Sequence, residues 1–188
     1  SLPFTGNTID SSGHNHDAII IGNVTPANDR FGVANRAYHF PGSAHDFMYV
    51  HEDMFTPEFA IQQPDSFSVS VWMQPENSGY QGYIFSRRDT NWVNGTAHRS
   101  DYDLTIGQAM ISSCLGVNSQ GNINDYFSVT PLLWYHLVLT YSNSTAQLYV
   151  NDTLRDDNTS ALIDSVGTGL VIGQYFKGEI DDINFYNR

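Results

Sequence analysis

The feature that most narrows what this chain can fold into is the rhythm of its apolar residues. Short runs rich in β-branched and aromatic side chains recur along it: "DAIIIGNV", "AYHFPG", "DFMYVHE", "SFSVSVWMQP", "GYIFSRRD", "YDLTIGQ", "AMISSCLGV", "NDYFSVT", "WYHLVLTYS", "TAQLYVND", "TGLVIGQ" and "GEIDDINFYN". Clusters of Gly, Pro, Asn, Asp and Ser separate the runs, as in strands joined by turns. No stretch carries a convincing helical period, and "HEDMFTPEFA" offers at most one short turn. Strands at this spacing predict an all-β, two-sheet antiparallel jelly-roll sandwich. Alternation also predicts the faces. Phe67, Val69, Val71 and Met73 oppose Ser66, Ser68, Ser70 and Trp72, while Tyr135, Leu137, Leu139 and Tyr141 oppose Trp134, His136, Val138 and Thr140.

Linkers, internal repeats and low-complexity tracts are absent, so residues 1–188 read as a single domain. The abrupt start at Ser1 suggests a module of a larger protein. Acidic residues outnumber basic ones 20 to 8, giving a net charge of -12. Such a balance argues against nucleic acid or anionic lipid as the main partner, because both demand basic patches. No apolar run reaches the ~18 residues of a membrane span, so no membrane insertion is expected. Salty or calcium-containing surroundings screen the self-repulsion, which suits an extracellular or cell-surface protein. Five N-x-[ST] sites, at Asn23, Asn94, Asn143, Asn151 and Asn158, add little, since about half would arise by chance in a chain so rich in Asn, Ser and Thr. Cys114 stands alone and reads as a small buried hydrophobe.

The closing stretch "YFKGEIDDINFYNR" raises a chemical question. Glu179 and Asp181, two residues apart on a strand, share one face. They could be the acid and nucleophile of a sugar-cleaving enzyme, oxygen ligands for a hard cation, or the polar face of an edge strand.

Several segments together carry a resemblance: "LPFTGNTIDSSGHNHDAII", "DRFGVANRAYHFPGSAHDFMYV", "FSVSVWMQP", "WYHLVLTYSNSTAQLYVNDTL", "LVIG" and the closing "GEIDDINFYNR". Their order resembles laminin-G-like domains of the concanavalin A-like lectin/glucanase superfamily. The modules of large bacterial surface proteins and of polysaccharide-active enzymes are especially similar. The resemblance implies a jelly roll whose first and last strands are adjacent. It also implies a structural calcium ion (Ca2+) where they meet, with Asp181 as a side-chain ligand. Gly42 and the stretch from Phe4 to Asp10 would supply further oxygens, with Asp10 and Asp46 as helpers. The glucanases of the superfamily carry E-x-D-x-E or E-x-D-x-x-E on one strand. Here Ile183 or Asn184 fills the third position, so the second glutamate is missing and no enzyme activity is expected.

Residues 86 to 128 match no motif of the resemblance, and ligand preference is expected there. Trp92 lies in "RRDTNWVNGTAHRSDYD" among Asp89, Asn91, Asn94, His98, Arg99, Asp101, Tyr102 and Asp103. Aromatic faces stack on sugar rings while Asp, Asn and Arg bond hydroxyls, a mixture suited to a glycan site on sandwich loops. "NSQGNINDY", with Asn122, Asn124, Asp125 and Tyr126, forms a second candidate rim loop. Trp72 and Trp134 are expected to pack inside the sandwich. "SGHNHD", with His14 and His16, reads as a polar turn, and His39, His45 and His51 lack zinc spacing. The expectation is a non-catalytic, calcium-stabilised, lectin-like adhesion or accessory module with a glycan or polysaccharide as partner. A protein-binding or structural adhesion module at the cell surface is the alternative, and a divergent glycoside hydrolase stands behind it.

Overall fold

A computed structural model of the chain describes residues 1–50, 66–77, 82–88, 100–107, 110–113, 123–125, 127–161 and 169–186. The chain forms β1 (Ala18–Ile21), β2 (Thr25–Ala27), β3 (Ala37–Pro41), β4 (Phe47–Val50), β5 (Ser66–Pro75), β6 (Gly82–Arg88) and β7 (Ser100–Gly107). It continues with β8 (Met110–Ser113), β9 (Ile123–Asp125), β10 (Tyr135–Ser142), β11 (Thr145–Val150), β12 (Thr153–Asn158), β13 (Gly169–Ile172) and β14 (Lys177–Tyr186). Two seven-stranded sheets result, in the orders β1-β4-β13-β6-β7-β8-β9 and β12-β11-β10-β5-β14-β3-β2. The strand pairs are antiparallel, and no helix occurs among the described residues. The predicted jelly-roll sandwich is the observed architecture.

The face assignments hold strand by strand. Inward residues of β5 (Phe67, Val69, Val71, Met73) and β10 (Tyr135, Leu137, Leu139, Tyr141) are buried, and their alternates are half-buried. Tyr38, Phe40, Leu148, Val150 and Ile180 join them from the same sheet. Met48, Phe85, Leu170 and Ile172 face them from the other sheet, so one apolar layer lies between the two.

Two strands have no apolar signature in the sequence. β2 contains Pro26, and β12 reads "TLRDDN"; each is an outermost strand of its sheet and largely exposed. Edge strands need not bury a face, and charge or proline there discourages pairing with other chains. The adjacency of first and last strands is also narrower than expected. Leu2 alone bridges Ile183, with N–H···O distances of 2.9 and 3.2 Å, whereas β1 lies in the opposite sheet from β14.

β14 holds the irregularity on which the site is built. Asp181 pairs with Trp72 and Asn184 with Ser70, so β14 carries one residue more than β5 across this step. The bulge is accommodated by Asp182 in the left-handed region at φ 46°, a conformation that Asp tolerates better than most side chains. Consecutive strand residues normally point to opposite faces. Here the bulge keeps Asp181 and Asp182 within reach of the same group on the outer face, while Ile180 and Ile183 still reach the core.

Gly173, just after β13, has φ +80°, and a Cβ there would fall inside the Phe40 ring. Gly173→Ala combines left-handed strain with overpacking. The expected loss is about 2–4 kcal/mol, read as a lower urea midpoint at unchanged m-value.

Candidate functional site

The outer face of the β12-to-β2 sheet is polar and carries the side chains most able to bind a ligand. Register places His136, Trp72 and Asp181 in one row across β10, β5 and β14. Val138, Ser70 and Asn184 form the next row, and Gln74, Glu179 and His39 the row on the other side. Successive rows lie about 7 Å apart along the strands, comparable to the width of a pyranose ring with its hydroxyls.

A continuous stack rises from this face. The His136 and Trp72 rings lie parallel, 4.7 Å apart. The Arg30 guanidinium sits 4.8 Å over Trp72 and 4.6 Å from the ring of Phe31. Trp72 is therefore flanked by His136 and Arg30. Neither Trp72 nor Trp134 belongs to the apolar core; both are half-buried, and alternation along β5 turns Trp72 to the outer face. The expectation that they pack inside the sandwich is corrected.

Arg30 reaches the face from the turn between β2 and β3. Asp29 Oδ1 accepts from the N–H groups of Phe31 (2.9 Å) and Val33 (2.8 Å), and backbone bonds between Asp29 and Val33 and between Gly32 and Asp29 close the turn. Held this way, Phe31 projects with 76 % of its surface exposed. Arg30 Nη1 donates to Asp181 Oδ2 at 2.6 Å and to Asp182 Oδ2 at 2.7 Å. Asp181 is 2 % exposed. Burial, with Asp182 close by, pushes its carboxyl from an ordinary value of 3.8 up to about 6, against the pull of Arg30. Burial opposes the charge on Arg30 too, but Asp182 and Asp181 outweigh it and hold the guanidinium ionised.

Neighbouring polar groups are also paired. His39 Nδ1 lies 3.1 Å from Glu179 Oε1, and His136 Nε2 lies 2.9 Å from Ser70 Oγ. Burial and the nearby Arg30 push His136 down against the attraction of Asp152, keeping it neutral. Ser70, His136 and Asp152 share the outline of a hydrolytic triad. Asp152, however, is 4.0 Å from His136 Nδ1 with a side chain 98 % exposed. Ser70 also stands mid-strand, with β5 paired on both sides, rather than on a turn that bares backbone donors.

Of the residues expected to share a calcium ion, the carboxylates Asp10, Asp46 and Asp181 do not converge on one point. Asp181 and Asp182 close on Arg30. Asp10 instead accepts from Ser1 N (2.8 Å), Ser12 N (2.9 Å), Ser12 Oγ (2.6 Å) and His16 N (3.0 Å). Burial alone would raise the Asp10 carboxyl, yet these donors hold it well below the usual range. Asp46 accepts from Asn23 N and Nδ2 at 2.7 and 3.0 Å, and Gly42 lies against Lys177. Calcium needs about six to eight converging oxygens, and the carboxylates of Asp10, Asp46 and Asp181, each with its own partners, do not fit one ion. Among the described residues no three His, Cys, Asp or Glu side chains converge on a metal-sized site.

Trp92, Asn94, His98, Arg99, Asn122 and Tyr126 lie outside the described residues, as do Asp89, Asn91, His51 and Cys114. Asp101, Tyr102 and Asp103 lie within β7 and Asn124 within β9, so these expected loop residues are strand residues of the first sheet. Asp125 is buried and bound by Arg155 at 2.8 and 3.3 Å, and is a structural partner rather than a rim ligand.

Residues 51–188 match the sequence profile of the concanavalin A-like lectin/glucanases superfamily, of laminin-G type. The chain belongs to this superfamily. A comparison with curated proteins finds no match. Among solved structures, the receptor-binding domain of the botulinum neurotoxin C/D mosaic serotype is similar at 18 % identity and TM-score 0.70, covering 96 % of this chain and 45 % of that one. A structure of botulinum neurotoxin type C, described as dependent on two ganglioside molecules for cell entry, matches at 16 % and 0.69, with 96 and 45 % coverage. The binding domain of botulinum neurotoxin DC in complex with SialylT matches at 15 % and 0.69, with 96 and 44 % coverage. At these identities the likeness is one of fold, and the chain spans less than half the length of those domains.

In this superfamily member the carboxylate pair gives a pH signature. A carboxyl raised in the fold stabilises it fully below its unfolded value, near 3.8, and loses that contribution as pH rises through about 6. Asp29, Asp182 and Arg30 are the charged groups facing it. Asp181→Asn is expected to flatten the fall in urea midpoint between pH 4 and 7. An undiminished slope would assign that fall to other groups.

Proposed function

We propose that the chain is a non-catalytic, carbohydrate-binding, lectin-like module of a secreted or cell-surface protein, serving adhesion or assisting a polysaccharide-degrading enzyme. Its ligand surface is the outer face of the β12-to-β2 sheet, and Phe31 is the aromatic platform. The observation that carries this reading is the position of Phe31. It is a largely exposed ring on a turn fixed by Asp29, at the head of a stack whose lower ring, Trp72, is already covered. Half-exposed Asp182, Asn184, His39 and Glu179 lie on the same face and offer hydroxyl-bonding groups beside an apolar plate, as sugar sites require. The ganglioside and SialylT ligands of the neurotoxin neighbours support a glycan as the ligand class. Their longer chains make the particular sugar this module's own property.

A non-catalytic role agrees with the occupied carboxylates, since Asp181 faces Arg30 and Glu179 faces His39. A retaining glycosidase needs one carboxylate free to attack. Turnover of a β-glucan panel that vanishes in Glu179→Gln would overturn this reading.

Phe31→Ala is expected to weaken binding to the best glycan on an array about tenfold or more with an unchanged melting temperature. Loss in Trp92→Ala and not in Phe31→Ala would move the site to the expected rim loop with Asn94, His98, Arg99 and Tyr126. If the wild type binds no glycan with or without calcium, the alternative of a protein-binding or structural adhesion module takes over. The exposed Ile19, Ile20 and Ile21 of edge strand β1 favour that second reading.

A further inference from the structure

We infer that the Arg30 guanidinium is the resident cation of this fold, occupying the place where the superfamily resemblance implies calcium at Asp181. It uncouples the module's stability from calcium. Nη1 sits 2.6 Å from Asp181 Oδ2 and 2.7 Å from Asp182 Oδ2. Calcium would require those oxygens at about 2.3–2.6 Å from itself, so ion and guanidinium exclude one another. The bulge in β14 is what aims both carboxylates at a single positive group.

Arg30 also does mechanically what a bound ion would do. It ties the turn between β2 and β3 to a strand 151 residues further along the chain. A planar guanidinium adds what a spherical ion lacks, because it stacks between Trp72 and Phe31 while its edge takes the carboxylates. Two carboxylates meet the guanidinium, and Asp29 adds to the negative field at Asp181 from the turn itself. Removing Arg30 would leave a buried carboxylate without its partner, in a space open enough to admit water, since the Arg30 side chain is 20 % exposed.

The test compares melting temperatures in EDTA and in millimolar calcium chloride for the wild type, Arg30→Ala and the triple variant R30A/D181N/D182N. The wild type is expected to melt at the same temperature in both buffers. Arg30→Ala should melt lower in EDTA, on the order of 10 °C, and calcium should restore much of the loss. The triple variant should recover stability without responding to calcium. If Arg30→Ala does not fold in EDTA, folding on calcium addition, or folding of the triple variant, supports the inference equally. A calcium-sensitive wild type, an undiminished Arg30→Ala, a loss that calcium leaves in place, or a triple variant as unstable as Arg30→Ala would overturn it. None of these outcomes depends on glycan binding, so the inference and the proposed function fail separately.

Discussion

A carboxylate sealed from water on the outside of a sheet is the constraint around which this site is arranged. Asp181 is almost fully buried although the face it stands on is polar. An unpaired charge there would destabilise the fold severely. Arg30 supplies the pairing, and supplying it forces the turn between β2 and β3 to lie down over the sheet. The same guanidinium lies over Trp72 and meets Asp182, which the bulge holds in its left-handed conformation, while Asp29 holds the turn from which Phe31 projects. One guanidinium thus lies over the half-buried Trp72, while the neighbouring Phe31 is offered to solvent.

The sandwich makes this arrangement possible by being rigid where the site stands on it. β5 and β14 are interior strands, hydrogen-bonded on both sides, and their inner residues Val71, Met73 and Ile180 are fully buried. Side chains rooted on such strands have little freedom to drift. The turn above them is held by Asp29 through backbone N–H groups rather than by the core. Preorganisation of this kind lowers the entropy lost when a ligand settles.

Much of the fold was legible from the chain because burial leaves a period-2 imprint. β5 was readable to the residue from its alternation of Phe, Val and Met with Ser, and β10 from Tyr and Leu against His, Val and Thr. β2 and β12 were not, since an edge strand with proline or three acidic and basic residues in succession buries no face and so carries no pattern. The candidate site was less legible still. Trp72 was placed on the Ser70 side by alternation, yet its aromatic character suggested the core, and the pattern rather than the residue type proved correct. Asp181 was noticed as chemistry in a pair with Glu179, but its partner Arg30 lies 151 residues away, and no spacing rule links them.

By itself the sequence determined the fold class, the two faces of each well-patterned strand and superfamily membership, because these follow from local alternation and short motifs. Tertiary structure alone decided what Asp181 does. Side-chain pairing across a sheet depends on register and on a one-residue bulge, and neither can be read from residue types. Folding brought a guanidinium to that carboxylate where the resemblance had implied a metal.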